Sequence, residues 1–270
     1  MKHLLILITI VFTFTSLAIG AELPSVNDGN PHGDPPFLLE DGWEPLINGR
    51  NMDGWQLIDT KKEGRWTATN GVYWGGPENP KQLTGVPTVG DRIINTAGQG
   101  GASNILATEK MGDMELYVEF MIPANSNAGV YVHGLYELQI WDSYGIEPRL
   151  ETDKTGALYH YDGGPINGID GAVVPLVRAE RPHGQWNSYH IWFQAPRFDK
   201  SGKKTANAKF LRVLLNGQLI HMNQERLGAT TAATKIPEAA ENPAVMLQGD
   251  HGPVAFRNVY VRPLRQSVVK

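Results

Sequence analysis

Residues 113 to 122, DMELYVEFMI, set apolar Met114, Leu116, Val118, Phe120 and Ile122 against Glu115, Tyr117 and Glu119. This period of two predicts a strand with one packed face and one solvated face. WNSYHIWFQ and VAFRNVYVRPL carry the same pattern, at 186 to 194 and 254 to 264. RWTATNGVYWGG and FLRVLLNGQLIHM each place Asn-Gly between alternating segments, the strongest short-range signal for a hairpin. Long helical periodicity is absent, and helix is expected only as short turns near 105 to 112 or 225 to 240. Strands with turn signals and no intervening helices predict an all-β fold, an antiparallel sandwich or jelly roll. Two irregular stretches, 77 to 103 and 145 to 185, interrupt the scheme. Loops longer than about 12–15 residues in a compact domain are usually functional or disordered. The aromatic and His content of GALYHYDGG in the second loop argues against disorder.

The chain opens with Lys2 and His3, an apolar run from Leu4 to Leu17, then small residues at Ala18 and Gly20. That is the layout of a secretory signal peptide over 1 to 20, too short and wrongly flanked for a membrane span. A Pro-, Gly- and Asp-rich extended leader follows over 21 to 40, with one jelly-roll domain expected over 41 to 270. Export to the periplasm or the extracellular space is the matching expectation, with no stable membrane insertion once the signal is removed. Cysteine is absent, so stability must come from the core rather than from disulfides, and thiolate zinc sites are excluded. Against 28 Asp plus Glu stand 24 Lys plus Arg, net charge -4, which argues against nucleic acid as a partner.

The chemistry concentrates in NAGVYVHGLYELQIWDSYG, residues 127 to 145. Tyr131, His133, Glu137 and Gln139 share one alternation phase, opposite Val130, Val132, Tyr136, Leu138 and Ile140. With Trp141 on the same face, a strand offers a carboxylate, an amide and a stacking ring in a row, which suits a sugar's hydroxyls and apolar C–H faces. Alone, such a row fits an ordinary solvated face better. Similar side chains recur in LYHYDGG (Tyr159, His160, Tyr161, Asp162) and in LQGDHG (Gln248, Asp250, His251), which shifts the balance towards one shared site. A divalent metal is an alternative occupant, with His133, His160, His251 and Asp250 as its ligands, though no tight ligand spacing supports it. GxSxG, SxxK, P-loop and GxGxxG patterns are missing, which argues against a serine nucleophile and nucleotide chemistry. Arg257 in the last strand region has two readings, an anion binder or a carboxylate's partner, and its packed neighbours Phe256 and Val259 favour the second.

DGWEPLINGRNMDGW, NAGVYVHGLYELQIWDSYG, GALYHYDGG, GQWNSYHIWFQ, VLLNGQLI and VMLQGDHGPVAFRNVYVRPL resemble, in order, the signatures of the 3-keto-disaccharide hydrolase family. The likeness spans roughly residues 41 to 264, departing in Ala128 and in a longer loop after Tyr161. It implies a concanavalin A-like jelly roll of two antiparallel sheets. It also implies glycoside cleavage by an unusual route: a ketone at C3 acidifies the C2 hydrogen, whose removal expels the group at C1, and water then adds. Such a site needs a base, an enolate stabiliser and a leaving-group acid. On this reading Glu137, His251 and His160 are the catalytic candidates, with Tyr131, His133, Gln139, Trp141, Asp142, Tyr159, Gln248 and Asp250 holding the sugar. Glu137, Gln139 and Asp142 also keep the spacing of the acidic strand of laminarinase-like glucanases, though the middle acid is Gln. A non-catalytic carbohydrate-binding module is the competing expectation, since fold does not dictate function.

Overall fold

The computed structural model describes residues 35–147, 151–230, 236–239 and 244–265. The expected signal peptide, and the leader as far as residue 34, lie outside the described residues. Two antiparallel sheets carry the fold. The larger, of eight strands, runs in spatial order Gln218–Arg226, Ala208–Leu215, Asn187–Gln194, Met114–Met121, Val254–Pro263, Arg92–Asn95 and Trp66–Thr69, with Glu44–Pro45 pairing on Val254–Pro263. The smaller, of five, runs Tyr136–Trp141, Asn127–Val132, Ala244–Leu247, Ile105–Lys110 and Trp55–Leu57. Their inner faces share one core, with Leu116, Val118, Phe120, Tyr189, Ile191, Phe193 and Phe256 packed against Ala128, Val130, Val132, Leu138, Ile140 and Leu247. Burying each such side chain is worth about 1.5–3 kcal/mol, so alternation fixes which face of every strand turns inward. This is the concanavalin A-like jelly roll.

The Asn216-Gly217 turn joins Ala208–Leu215 to Gln218–Arg226 as a hairpin, with φ of 50° and 81° at its two central residues, as a type I′ turn requires. Asn70-Gly71 does not make the hairpin its pattern predicts. Trp66–Thr69 pairs with Arg92–Asn95 in the large sheet, whereas Val72–Trp74 leaves to form a separate ribbon with Leu83–Gly85. Residues 105 to 110 are a strand rather than a helical turn. Part of the second predicted helical region, residues 231–235 and 240, lies outside the described residues.

The acidic row of Met114–Met121 is also not solvated. Glu115 and Glu119 are buried, because the segment from residue 35 to 45 straps the outer face of the large sheet. Phe37 stacks on Tyr260 at 4.0 Å, and Arg262 bonds both Glu115 and Glu40. Arg262 also lies 4.3 Å over the Trp43 ring. His190 meets Glu115 at 2.7 Å, and Arg257 meets Glu119 at 2.5 Å. Burial of carboxylates is tolerated here because each has a cation and hydrogen bonds.

Candidate active site

Strands Asn127–Val132 and Tyr136–Trp141 pair so that Glu137 stands directly across from Tyr131 and Gln139 across from Gly129. Val130, Val132, Leu138 and Ile140 take the core face, which leaves Tyr131, Glu137 and Gln139 on the outer face of the small sheet. The Glu137 carboxylate lies over Gly129, where an added Cβ would come within 2.5 Å of Oε1. Glycine therefore makes the room that the acid occupies. The Glu137 backbone N–H donates to Thr230 Oγ1 at 3.1 Å, and Thr230 N–H donates to the Leu135 carbonyl at 2.7 Å.

A third segment closes on this pair. Gln248 N–H donates to the Gly129 carbonyl at 3.0 Å, and Gln248 Nε2 reaches the Tyr131 hydroxyl at 3.4 Å. Tyr131 in turn donates to the Glu137 carboxylate. The segment is fixed from below. Asn104 Oδ1 accepts from Gly249 N and Asp250 N at 2.8 and 3.2 Å. Asn95 Nδ2 donates to the Gly249 and Gly252 carbonyls. At its tip, Asp250 Oδ1 holds His251 Nδ1 at 2.7 Å, so the imidazole turns Nε2 outward. Gln248 Oε1 is buried and accepts no hydrogen bond from the described residues, an acceptor positioned for a hydroxyl.

The electrostatics set these groups apart. Burial pushes the Glu137 carboxyl up to about 8, against the opposing effects of the Tyr131 hydrogen bond and the His251 charge; the group is neutral at pH 7. The Asp250 hydrogen bond raises His251 above the usual imidazole value. Burial first, and then the Glu137 carboxylate once it ionises at high pH, raise Tyr131 well above the usual phenol value. A neutral carboxylic acid beside a carboxylate-oriented imidazole is an acid–base pair of the kind active sites arrange.

The long loop covers the sheet. Leu158 bridges to Leu138 and to Val173, and Tyr161 to Thr230. Arg226 ties it down, with Nη2 donating to the Tyr159 carbonyl at 2.7 Å and Nη1 to the Gly171 carbonyl. The guanidinium lies 4.5 Å over the Tyr161 ring. This places Tyr159 where it feels the Glu137 charge, and leaves Tyr159 and half-exposed His251 at the rim.

Tyr131, Glu137, Tyr159, Gln248, Asp250 and His251 thus form one cluster, while other expected residues stand apart. His133 is not in it: a φ of 57° ends the strand alternation. Its ring turns inward, with Nε2 against the Met111 and Gly112 carbonyls at 3.0 and 2.9 Å and one edge on Phe193. Gln139 is buried beneath the loop, its side-chain oxygen taken by Ile140 N–H at 3.0 Å. Lys154 covers the Trp141 ring at 4.1 Å, and Asp142 is engaged by Asn125 N–H and His183 Nδ1. His160 sits on the covering loop, 3.5 Å from Asp170. No group of three or more His, Asp or Glu among the described residues is arranged to hold a metal ion. Sequence reasoning missed Gly129, Asn104, Thr230 and Arg226; only the Asn-Ala-Gly motif carried a signal for the first. Two surface cavities, of about 680 and 260 Å³, are lined by other residues. The closely packed cluster is preferred as the site because chemistry, rather than open volume, distinguishes it.

The 3-keto-alpha-glucoside-1,2-lyase-like domain family matches residues 42–262. A candidate glycosyl hydrolase from Parabacteroides distasonis ATCC 8503 is 23% identical with a TM-score of 0.54, over 83% of this chain and 84% of that one. A second from the same organism is 18% identical with a TM-score of 0.48, over 83% of this chain and 100% of the other. No curated protein is similar to the chain at a significant level. The first of these likenesses bears on the fold alone, and the family match covers most of the chain.

Proposed function

The chain belongs to the 3-keto-alpha-glucoside-1,2-lyase-like family, and from that premise we propose that it cleaves 3-keto-glycosides by base-assisted elimination followed by hydration. His251 Nε2, its tautomer fixed by Asp250 on Nδ1, takes the proton from C2 of the 3-keto sugar. The C2–H electron pair becomes the enolate of the C3 ketone and then the C1–C2 double bond as the C1–O bond breaks. Glu137, held neutral by burial, gives its proton to the departing oxygen. In the second half the Glu137 carboxylate draws a proton from water attacking C1, and His251 returns a proton to C2. The sum is hydrolysis without a glycosyl-enzyme bond. Tyr131 steadies the Glu137 carboxylate, Gln248 Oε1 takes a sugar hydroxyl, and Tyr159 flanks the ring. The N-terminal apolar run supports an exported enzyme acting outside the cytoplasm.

The observation that carries this reading is the neutral Glu137 carboxyl and the Asp250-oriented His251 on one outer face. Product analysis with a 3-keto-disaccharide tests it, comparing the protein with Glu137→Gln and adding a chelator control. Release of a keto-monosaccharide by the unaltered protein, lost in the variant and insensitive to chelator, is the expected result. Cleavage of the unoxidised disaccharide would point to ordinary hydrolysis, and sugar binding without turnover to a binding module.

A further inference from the structure

The outer face of the large sheet, across the sandwich from Glu137, carries a cavity of about 260 Å³ lined by Tyr117, Glu119, Arg181, Trp186, Ser188 and Arg257 among others. Its floor is rigid. Asn216 Nδ2 donates to the Ala179 carbonyl and to Asn187 Oδ1 at 2.7 and 2.8 Å, and Asn216 Oδ1 accepts from Ser188 N–H at 2.9 Å. Arg181 N–H bonds Asn187 Oδ1 at 2.7 Å, and Arg181 Nη1 bonds the Trp186 carbonyl at 3.1 Å. Pro35 and Pro36 of the strap are also part of the lining.

Arg257 is the unusual member. Its guanidinium lies 4.2 Å over the Trp186 ring, and its Nε is spent on Glu119 Oε2 at 2.5 Å. The other Glu119 oxygen accepts from the Tyr117 hydroxyl at 3.0 Å. The Arg257 Nη atoms make no hydrogen bond with the described residues. A guanidinium pinned by a ring and a carboxylate, with its outer fork unused, presents a fixed pair of donors. Glu119 engages Nε and leaves the Nη side of the Arg257 fork, which lines the cavity, for an acidic ligand.

We propose that this cavity is a second ligand site, which binds a small carboxylated sugar of one ring, a hexuronate. The planar carboxylate matches the Arg257 fork bidentately. The half-buried Trp186 gives the cavity an apolar wall for a sugar's C–H surface, and Ser188 adds a hydroxyl to the lining. The volume lies just below that of pockets for drug-sized ligands, roughly 300–1,000 Å³, which fits one sugar ring rather than a chain. This assignment is independent of the cleavage chemistry proposed for the other face.

Isothermal titration calorimetry of the full-length protein with glucuronate, glucose and inorganic phosphate tests it. Two variants accompany the protein: Arg257→Gln, which removes the fork, and Ser188→Phe, which fills the cavity without breaking the Arg257–Glu119 pair. Circular dichroism melts report whether each is folded; should Arg257→Gln not fold, Ser188→Phe decides alone. Glucuronate is expected to bind at millimolar concentration or tighter, about ten-fold or more weaker in Arg257→Gln and undetectably in Ser188→Phe, with glucose and phosphate both weaker. Absence of glucuronate binding, phosphate binding as tight as glucuronate, or binding unchanged in the folded variants would each overturn the proposal.

Discussion

Replacing Glu137 by Gln removes a titration that the fold must otherwise accommodate. The carboxyl rises from 4.5 to about 8 on folding, chiefly through burial. At about 1.4 kcal/mol per pH unit, ionising it inside the folded protein costs about 4–5 kcal/mol. The sign follows from proton binding. Below pH 4.5 the group is protonated in both states and has no differential effect. Between 4.5 and about 8 the unfolded chain sheds the proton while the native state keeps it, so the native state loses stability as pH rises, and the loss levels off above that range. Gln does not titrate. Any constant gain or loss from the amide's own hydrogen bonds cancels when one pH is compared with another. With about 2–4 °C per kcal/mol for a domain of this size, the melting temperature of Glu137→Gln relative to the unaltered protein should rise by about 10 °C between pH ~4.5 and ~8.5. His251 is positive over the lower part of this range and loses its charge as pH rises, which moves the midpoint, not the direction. Thermal melts by circular dichroism at several pH values measure it, and a difference that is flat with pH would refute both the burial argument and the neutral Glu137 on which the mechanism depends.

Asp250→Asn should lower the His251 proton affinity, since the Asp250 hydrogen bond is the main cause raising it. Turnover should fall by about 10²-fold or more, with the low-pH limb of the kcat/KM profile moved to lower pH. Gly129→Ala should push the Glu137 carboxylate off Tyr131, because the new Cβ would lie 2.5 Å from Oε1. Since the clash is with the end of a flexible side chain, activity should drop about 10²-fold with little change in melting temperature, and a loss of both together would contradict that account. Arg226→Gln should loosen the loop it anchors by the Tyr159 and Gly171 carbonyls; faster hydrogen exchange over 159 to 171, relative to the small-sheet strands, is the expected signature. Asn216→Ala should destabilise by about 1–3 kcal/mol, through the side-chain hydrogen bonds and the left-handed backbone that Ala tolerates poorly. Asn216→Gly should recover the backbone part in a chemical denaturation series.

Inward-facing apolar rows such as Val130, Val132, Leu138 and Ile140 are legible because period-two alternation is a local property, and the Asn216-Gly217 turn because its dipeptide dictates its own backbone. What failed was set by distant parts of the chain. Glu115 and Glu119 read as solvated, yet their cations are Arg262 and Arg257, contributed by a strand more than a hundred residues away. Asn70-Gly71 takes no positive φ, and Val72–Trp74 pairs with Leu83–Gly85 instead of the strand before it. The shared phase of Tyr131 and Glu137 was visible. The exit of His133 from that phase depends on one positive φ that alternation does not encode. Arg226 gave no sign, because its role is to hold carbonyls of a loop whose path only the fold defines.

The strand that completes the large sheet comes late in the chain. Val254–Pro263 lies between Met114–Met121 and Arg92–Asn95, so until it is synthesised those two strands have no neighbour between them. A polypeptide cut short of residue 254 would present two bare hydrogen-bonding edges flanking a missing centre, a template for self-association rather than a smaller folded unit. Assembly of this sandwich must therefore wait for nearly the whole described chain, and the closure of such distant pairings is slow.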